Sequence, residues 1–213
     1  EVLHMKLEYI GHACFRLELD NGFAWVTDPY DGSIGLERPS VSATVTTLSH
    51  GHFDHNCVKA LDGAGRLLAS AGEYEEQGVR FTLIHCYHDE ERGARRGENL
   101  ITVCEAEGVR LCHMGDIGHQ PDAELLKQIG RVDILMLPVG GTYTLDGAGA
   151  AKAAAAIAAR TVVPMHFNVP RLKLDIAGPE AFLEAIGGAY ARAGSVLDVK
   201  SAPAGVVLMT PSR

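Results

Sequence analysis

His50-Gly51-His52-Phe53-Asp54-His55 follows the β-branched run Ala43-Thr44-Val45-Thr46-Thr47-Leu48, with only Ser49 between them. Four groups able to bind a metal therefore lie within six residues, at what reads as a strand end. In extended backbone, residues two apart point the same way, so His50 and His52 converge on one ion. Asp54 and His55 lie past the bend and can serve a second ion nearby, with Gly51 allowing the tight turn and close approach this needs. Surface loops also gather His and Asp by chance. The remaining ligands decide the reading.

Outward from this cluster, Lys6 to Ile10, Cys14 to Leu19 and Phe23 to Thr27 read as an antiparallel meander, with Asp20-Asn21-Gly22 as a hairpin turn. Asn56 is expected to cap a short helix to Leu61, and Arg66 to Ser70 and Gly78 to Ile84 read as strands. Asn99 to Glu105 and Val109 to His113 form a second hairpin, and Asp122 to Ile129 has helical spacing after Pro121. Asp133 to Leu137 and Thr161 to Met165 read as buried strands, Ala148 to Ala159 and Pro179 to Ile186 as helices. Val196 to Lys200 and Gly205 to Thr210 read as a closing strand pair. Two packed sheets with helices outside would bury these runs, an α/β sandwich.

Three further strand ends carry chemistry. His88 follows the strand before it, in His85-Cys86-Tyr87-His88-Asp89-Glu90, and could bring a third imidazole to the first ion. His85 competes with it, but sits among apolar residues and is expected to be a half-buried core histidine. Asp116 lies between glycines after Val109 to Cys112; a carboxylate there could bridge two ions, or simply occupy a turn. His113 and His119 read as supporting or surface histidines. His166 closes Thr161 to Met165, where a lone histidine is more often a satisfied core residue than a ligand. The repeated strand-end placement shifts the balance toward ligands.

His50-x-His52-x-Asp54-His55, then His88, Asp116 and His166 in this order, resembles the metallo-β-lactamase superfamily over most of the chain. Gly11-His12-Ala13-Cys14-Phe15, Thr27-Asp28-Pro29 and Val163-Pro164-Met165-His166 are similar to its small branch that includes ascorbate-6-phosphate lactonase and many metal-dependent hydrolases. The resemblance implies a four-layer αββα sandwich with the metals at one edge and a hydroxide between them as nucleophile. It implies that His50, His52 and His88 hold one metal, that Asp54, His55 and His166 hold the other, and that Asp116 bridges them. Asp28 would orient His55 or another ligand. Di-iron members of the family place Glu where this chain has His52, and the helical insertion of RNA-cleaving members finds no room here.

Imidazole and carboxylate ligands without thiolate suit Zn²⁺, with Mn²⁺ or Fe²⁺ as substitutes; two ions can lower the pKa of a bridging water and stabilise an oxyanion. The expectation is a dinuclear zinc hydrolase cleaving a small ester, lactone or phosphoester, with Asp54 also moving a proton. Its rivals are a metal-holding ligand-binding module and a di-iron oxidoreductase. Arg92, Arg95 and Arg96, then Gly140-Gly141-Thr142-Tyr143, and His12 are the candidate substrate contacts, Arg96 and Tyr143 foremost.

At 213 residues the chain fits one domain, residues 1–213, with a sizeable core. Its 46% hydrophobic content and lack of a bilayer-length apolar run fit a soluble protein without a membrane partner. A net charge of −8 disfavours nucleic acid and leaves a small-molecule substrate, with the oligomeric state open to a homo-oligomer. Five cysteines without a Cys-x-x-Cys pair fit a reducing cytoplasm, and no secretory signal is visible. His4-Met5 reads as a cloning scar, which would make Glu1 to His4 vector residues.

Overall fold

Alternation in the first strands builds one sheet and gives it two faces. In the computed structural model, which describes residues 4–213, β1 (Met5–Gly11), β2 (Cys14–Leu19) and β3 (Ala24–Thr27) form the expected antiparallel meander. Glu1, Val2 and Leu3, on which most of the vector reading rests, lie outside the described residues. Leu7, Tyr9, Phe15, Leu17 and Trp25 point into the main core, whereas Ile10, Cys14 and Val26 face the opposite way into a smaller cluster. β4 (Val45–Thr47) and β5 (Arg66–Leu68) extend this sheet in parallel.

The second sheet starts with β6 (Gly72–Glu76), β7 (Val79–Tyr87), β8 (Glu98–Ala106) and β9 (Val109–His113), all antiparallel. It continues in parallel through β10 (Ile134–Pro138) and β11 (Thr161–Met165), whose every residue is buried. The end of the chain supplies β12 (Tyr190–Arg192), β13 (Val196–Asp198) and β14 (Gly205–Leu208). Strand order is β13-β1-β2-β3-β4-β5 in one sheet and β12-β14-β11-β10-β9-β8-β7-β6 in the other.

The expected closing pair is therefore a correction: β13 pairs with β1, and β14 lies between β11 and β12 in the other sheet. Each covers a strand edge that would otherwise leave backbone groups unpaired. β6 and β12 are additional strands; one is a polar edge strand and the other only three residues long, so neither carries an apolar alternation to read.

Helix α1 (Ala123–Ile129) packs against β7 and α2 (Gly147–Ile157) against β10, while α3 (Glu180–Ala185) packs on α2. Asp122 and Asp146 cap the first two by accepting from Leu125 N and Gly149 N. The outer layer on the six-stranded sheet is built differently, from loops and two 3-10 turns, Gly32–Ile34 and Val58–Ala60. Asn56 does not cap a helix there: its side chain donates to Gly51 O at 2.7 Å, and the turn begins at Cys57 without a side-chain cap. Between the sheets, Trp25 meets Phe81 edge-on at 5.7 Å; burying such side chains contributes roughly 1.5–3 kcal/mol each.

Strand direction creates the functional edge. β1, β3 and β4 run the same way in one sheet, and β7, β9 and β11 run together in the other. Their C-terminal ends deliver His12, Asp28, the His50–His55 cluster, His88, Asp116 and His166. The sheets are tied here by His166 N donating to His12 O at 2.9 Å and Leu100 N donating to Ser49 O at 2.8 Å.

Candidate metal centre

The His50–His55 segment is a turn, closed by His55 N donating to His52 O at 3.0 Å, so strand alternation does not aim its side chains. Gly51 is not required for it: its φ is not positive and a Cβ there would meet open space. Glycine matters instead at Gly115, φ +55, where a Cβ would lie 2.6 Å from Ser49 Cβ. His50 and His52 still converge, with ring centroids 4.6 Å apart, and His88 joins them. Nitrogens of these three lie within 4.8 Å of one another; a second such group comprises His12, Asp54, His55 and His166.

Asp28, at the end of β3, fixes two of these rings. Its Oδ2 accepts from His55 Nδ1 at 2.9 Å and from Ser49 Oγ at 2.5 Å, and its Oδ1 accepts from Ser49 N at 2.7 Å. Because Ser49 Oγ gives its proton to Asp28, the 2.8 Å contact from His50 Nδ1 makes that nitrogen the donor. Both rings thereby turn a lone pair on Nε2 inward. Both Nε2 atoms are buried without a hydrogen-bond partner.

Asp116 sits where the two groups meet. Its Oδ2 is 3.1 Å from His166 Nε2, 3.2 Å from His55 Nε2, 3.3 Å from His88 Nε2 and 3.9 Å from His50 Nε2. Burial opposes its charge, but His166 and His55 outweigh that and hold the carboxyl well below the usual range. Asp54 Oδ2 accepts from His12 Nε2 at 3.0 Å and lies 3.4 Å from His55 Nε2. Burial again opposes ionisation, and the hydrogen bond from His12 with the nearby His55 ring brings its pKa below the carboxylate range.

Burial pushes His50 down to about 3 and His12 down to about 4, so both are neutral imidazoles. His55 goes the other way: burial disfavours its charge, yet Asp116 with Asp28 and Asp54 raises it well above an ordinary histidine. Carboxylates crowded around one ring demand a cation there, a proton or a metal. Orphaned buried nitrogens, a buried Asp116 Oδ1 with no partner, and a donor set of imidazole and carboxylate all fit metal binding.

The histidines left open by sequence separate cleanly. β7 runs on to Tyr87, so alternation turns His85 outward to Glu98 at 3.3 Å; it is exposed, not a half-buried core residue, and His88 is the buried one. His113 Nε2 donates to Ala13 O at 2.8 Å, and His119 Nε2 accepts from Tyr87 N at 3.3 Å. None of the three belongs to a cation-sized group. His12 does not face substrate: it is buried behind Asp54, with 0% side-chain exposure.

A cavity of about 350 Å³ opens over the centre, reached by His52, Asp54, His88, Asp116 and His166 and by Arg96 and Tyr143. Sequence reading missed Ser49, which links His50 to Asp28, and Asn99, whose Oδ1 accepts from Asp116 N at 2.9 Å. Ser49 adjoins His50, which is a faint signal; Asn99, at the start of β8, gives none. It also missed Asp89, which holds the arginine loop, and Phe53 and Leu174 at the cavity wall. Backbone strain marks the same edge: His12, Asp28 and His166 have φ of 55, 38 and 51.

Residues 6–166 match the family model described as beta-lactamase superfamily domain. A UPF0173 metal-dependent hydrolase of Methanosphaerula palustris is 32% identical over 85% of this chain and 91% of its own. A Thermotoga maritima structure described as a Zn-dependent hydrolase of the metallo-β-lactamase superfamily superposes with TM-score 0.80 and 35% identity, covering 97% of this chain and 98% of that one. A metal-dependent hydrolase from Parabacteroides distasonis, 18% identical with TM-score 0.67 over 86% of this chain and 90% of its own, shares the fold. The chain belongs to the metallo-β-lactamase superfamily and, within it, to the UPF0173 metal-dependent hydrolases.

Proposed function

We propose that this chain is a dinuclear zinc hydrolase that cleaves a small ester, lactone or phosphoester. The observation that carries the reading is Asp116 Oδ2 within 3.3 Å of nitrogens from His55, His88 and His166, at the junction of two ligand groups. His50, His52 and His88 would hold one ion, Asp54, His55 and His166 the other, with Asp116 shared. Bound there, the ions supply Lewis acidity, lowering the pKa of a coordinated water and stabilising developing negative charge. Asp28 orients His55 directly and His50 through Ser49, and His12 holds Asp54 by its Oδ2. Asp54 reaches the cavity, where its carboxylate can accept a proton from the attacking water and release it to the leaving group.

The same reading makes the substrate a small molecule and the location the cytoplasm. It is supported by five free cysteines, a net charge of −8 and, among the described residues, no helix long and apolar enough to cross a membrane. It also takes residues 1–213 as one domain. Elemental analysis after Zn²⁺ loading should find two equivalents per chain, with metal-dependent cleavage of members of a lactone, ester and phosphoester panel and none by His50→Ala. Absence of bound metal would sink the proposal. Full loading without turnover, while a panel compound raises the melting temperature, would make the chain a binding module instead.

A further inference from the structure

The cavity over the metal ligands has two chemically different walls. Phe53, 57% exposed, and Tyr143, 39% exposed, are two of only four large hydrophobic side chains left open to solvent among the described residues, and both line this cavity together with Leu174. Exposed aromatic surface is costly in water, and its concentration at one concave site marks a place where an apolar group is received.

Arg96 forms the other wall, and its placement is built. Asp89, immediately after His88, accepts from the backbone N–H groups of Glu91, Gly93, Arg95 and Arg96 at 2.8, 2.9, 3.0 and 2.7 Å. Four donors on one buried carboxylate fold the loop tightly and fix the Arg96 backbone beside the metal ligands. The Arg96 guanidinium then donates to Thr142 O at 2.9 Å and lies 5.8 Å from the centre of the Tyr143 ring. Neighbouring Arg95 is paired with Glu91, whereas among the described residues no carboxylate lies within 4.0 Å of Arg96. A planar cation with five N–H donors, held at one edge and lying over an aromatic ring at cation–π distance, retains the geometry for a bidentate oxyanion contact.

We propose that Arg96 anchors the substrate by an anionic group separate from the bond that is cleaved. The preferred substrate is then a small ester or lactone with an apolar body lying on Phe53, Tyr143 and Leu174 and an oxyanion, carboxylate or phosphate, at Arg96. This rests on the hydrolase reading and narrows its substrate class.

The test compares 4-acetoxybenzoate with its neutral counterpart 4-acetoxybenzamide on the metal-loaded enzyme. Wild type should favour the anion in kcat/KM, and Arg96→Gln should lower the anion-to-amide ratio at least fivefold. Arg92, a substrate-contact candidate from its sequence position, is exposed and does not line the cavity, so Arg92→Gln should leave the ratio at the wild-type value. No preference in wild type, a smaller fall in Arg96→Gln, or an equal fall in Arg92→Gln would overturn the anchor.

Calorimetric binding of 4-hydroxybenzoate and 4-hydroxybenzamide to the same loaded proteins makes the comparison without turnover. Selective anion binding that Arg96→Gln reduces at least fivefold, with no ester cleaved, would uphold the anchor and condemn the hydrolysis of such esters. If binding shows no such dependence, the anchor fails whatever the enzyme cleaves.

Discussion

The two halves of the candidate metal centre are held with different firmness. His12, Asp54, His55 and His166 are all buried, with His55 clamped by Asp28 and Asp54 backed by His12. In the group of His50, His52 and His88, only His88 is fully buried, His52 is exposed, and His50 reaches Asp28 only through the hydroxyl of Ser49. The deep half is preorganised by direct charge-assisted hydrogen bonds, and the outer half by a relay and by turn geometry. Affinity for an ion should therefore be greater in the deep half.

The harshest way to break this contrast is to remove what the halves share. Asp116→Ala should lower kcat/KM by more than about 10³-fold and bring bound metal below two equivalents, because both groups lose the carboxylate that balances their charge. Metal stoichiometry and turnover on the same sample check it; two tightly held ions in the variant would refute the shared role. Asp28→Asn should weaken metal binding about 10–100-fold, read by competition with a chelator, with the deep ion affected through His55.

Ser49→Ala sharpens the comparison, since it cuts the relay to His50 and leaves the Asp28–His55 bond in place. It should cost roughly tenfold or less in affinity, and only for the more weakly held ion. A loss as large as that of Asp28→Asn, or one falling on the tighter ion, would erase the distinction between direct and relayed support. The mildest test needs no mutation: carbethoxylation of metal-free protein should modify His52 before His12, His55 or His166, followed by peptide mass analysis. Equal rates would show that the halves are equally open.

The residues that gather at the candidate centre were legible in the sequence because strand ends can be read from apolar runs, and these are polar residues placed just beyond them. His50, Asp116 and His166 come from separate strands, and the apolar run before each announces where its strand stops. What could not be read depends on contacts across the sandwich. That His85 turns out to solvent rather than lying half-buried in the core depends on β7 extending to Tyr87, beyond the Ile84 that apolar content suggests. The split of β13 from β14 reflects two distant edges needing partners, information absent from either segment. Ser49 and Asp89 act through hydrogen bonds to atoms that only folding brings near, so their residue types alone say little.

The left-handed backbone at His12, Asp28 and His166 has a thermodynamic consequence. Each such conformation in a residue with a Cβ costs of order 1–3 kcal/mol, and all three occur where strands of both sheets deliver their side chains. The carboxylates around His55 add mutual repulsion at the same place. An ion bonded to these side chains would be held far more tightly by the folded chain than by an unfolded one, so the difference in binding energy adds to the stability of the whole sandwich. Thermal resistance in this protein is expected to report metal content, with chelation lowering the unfolding temperature and Zn²⁺ restoring it.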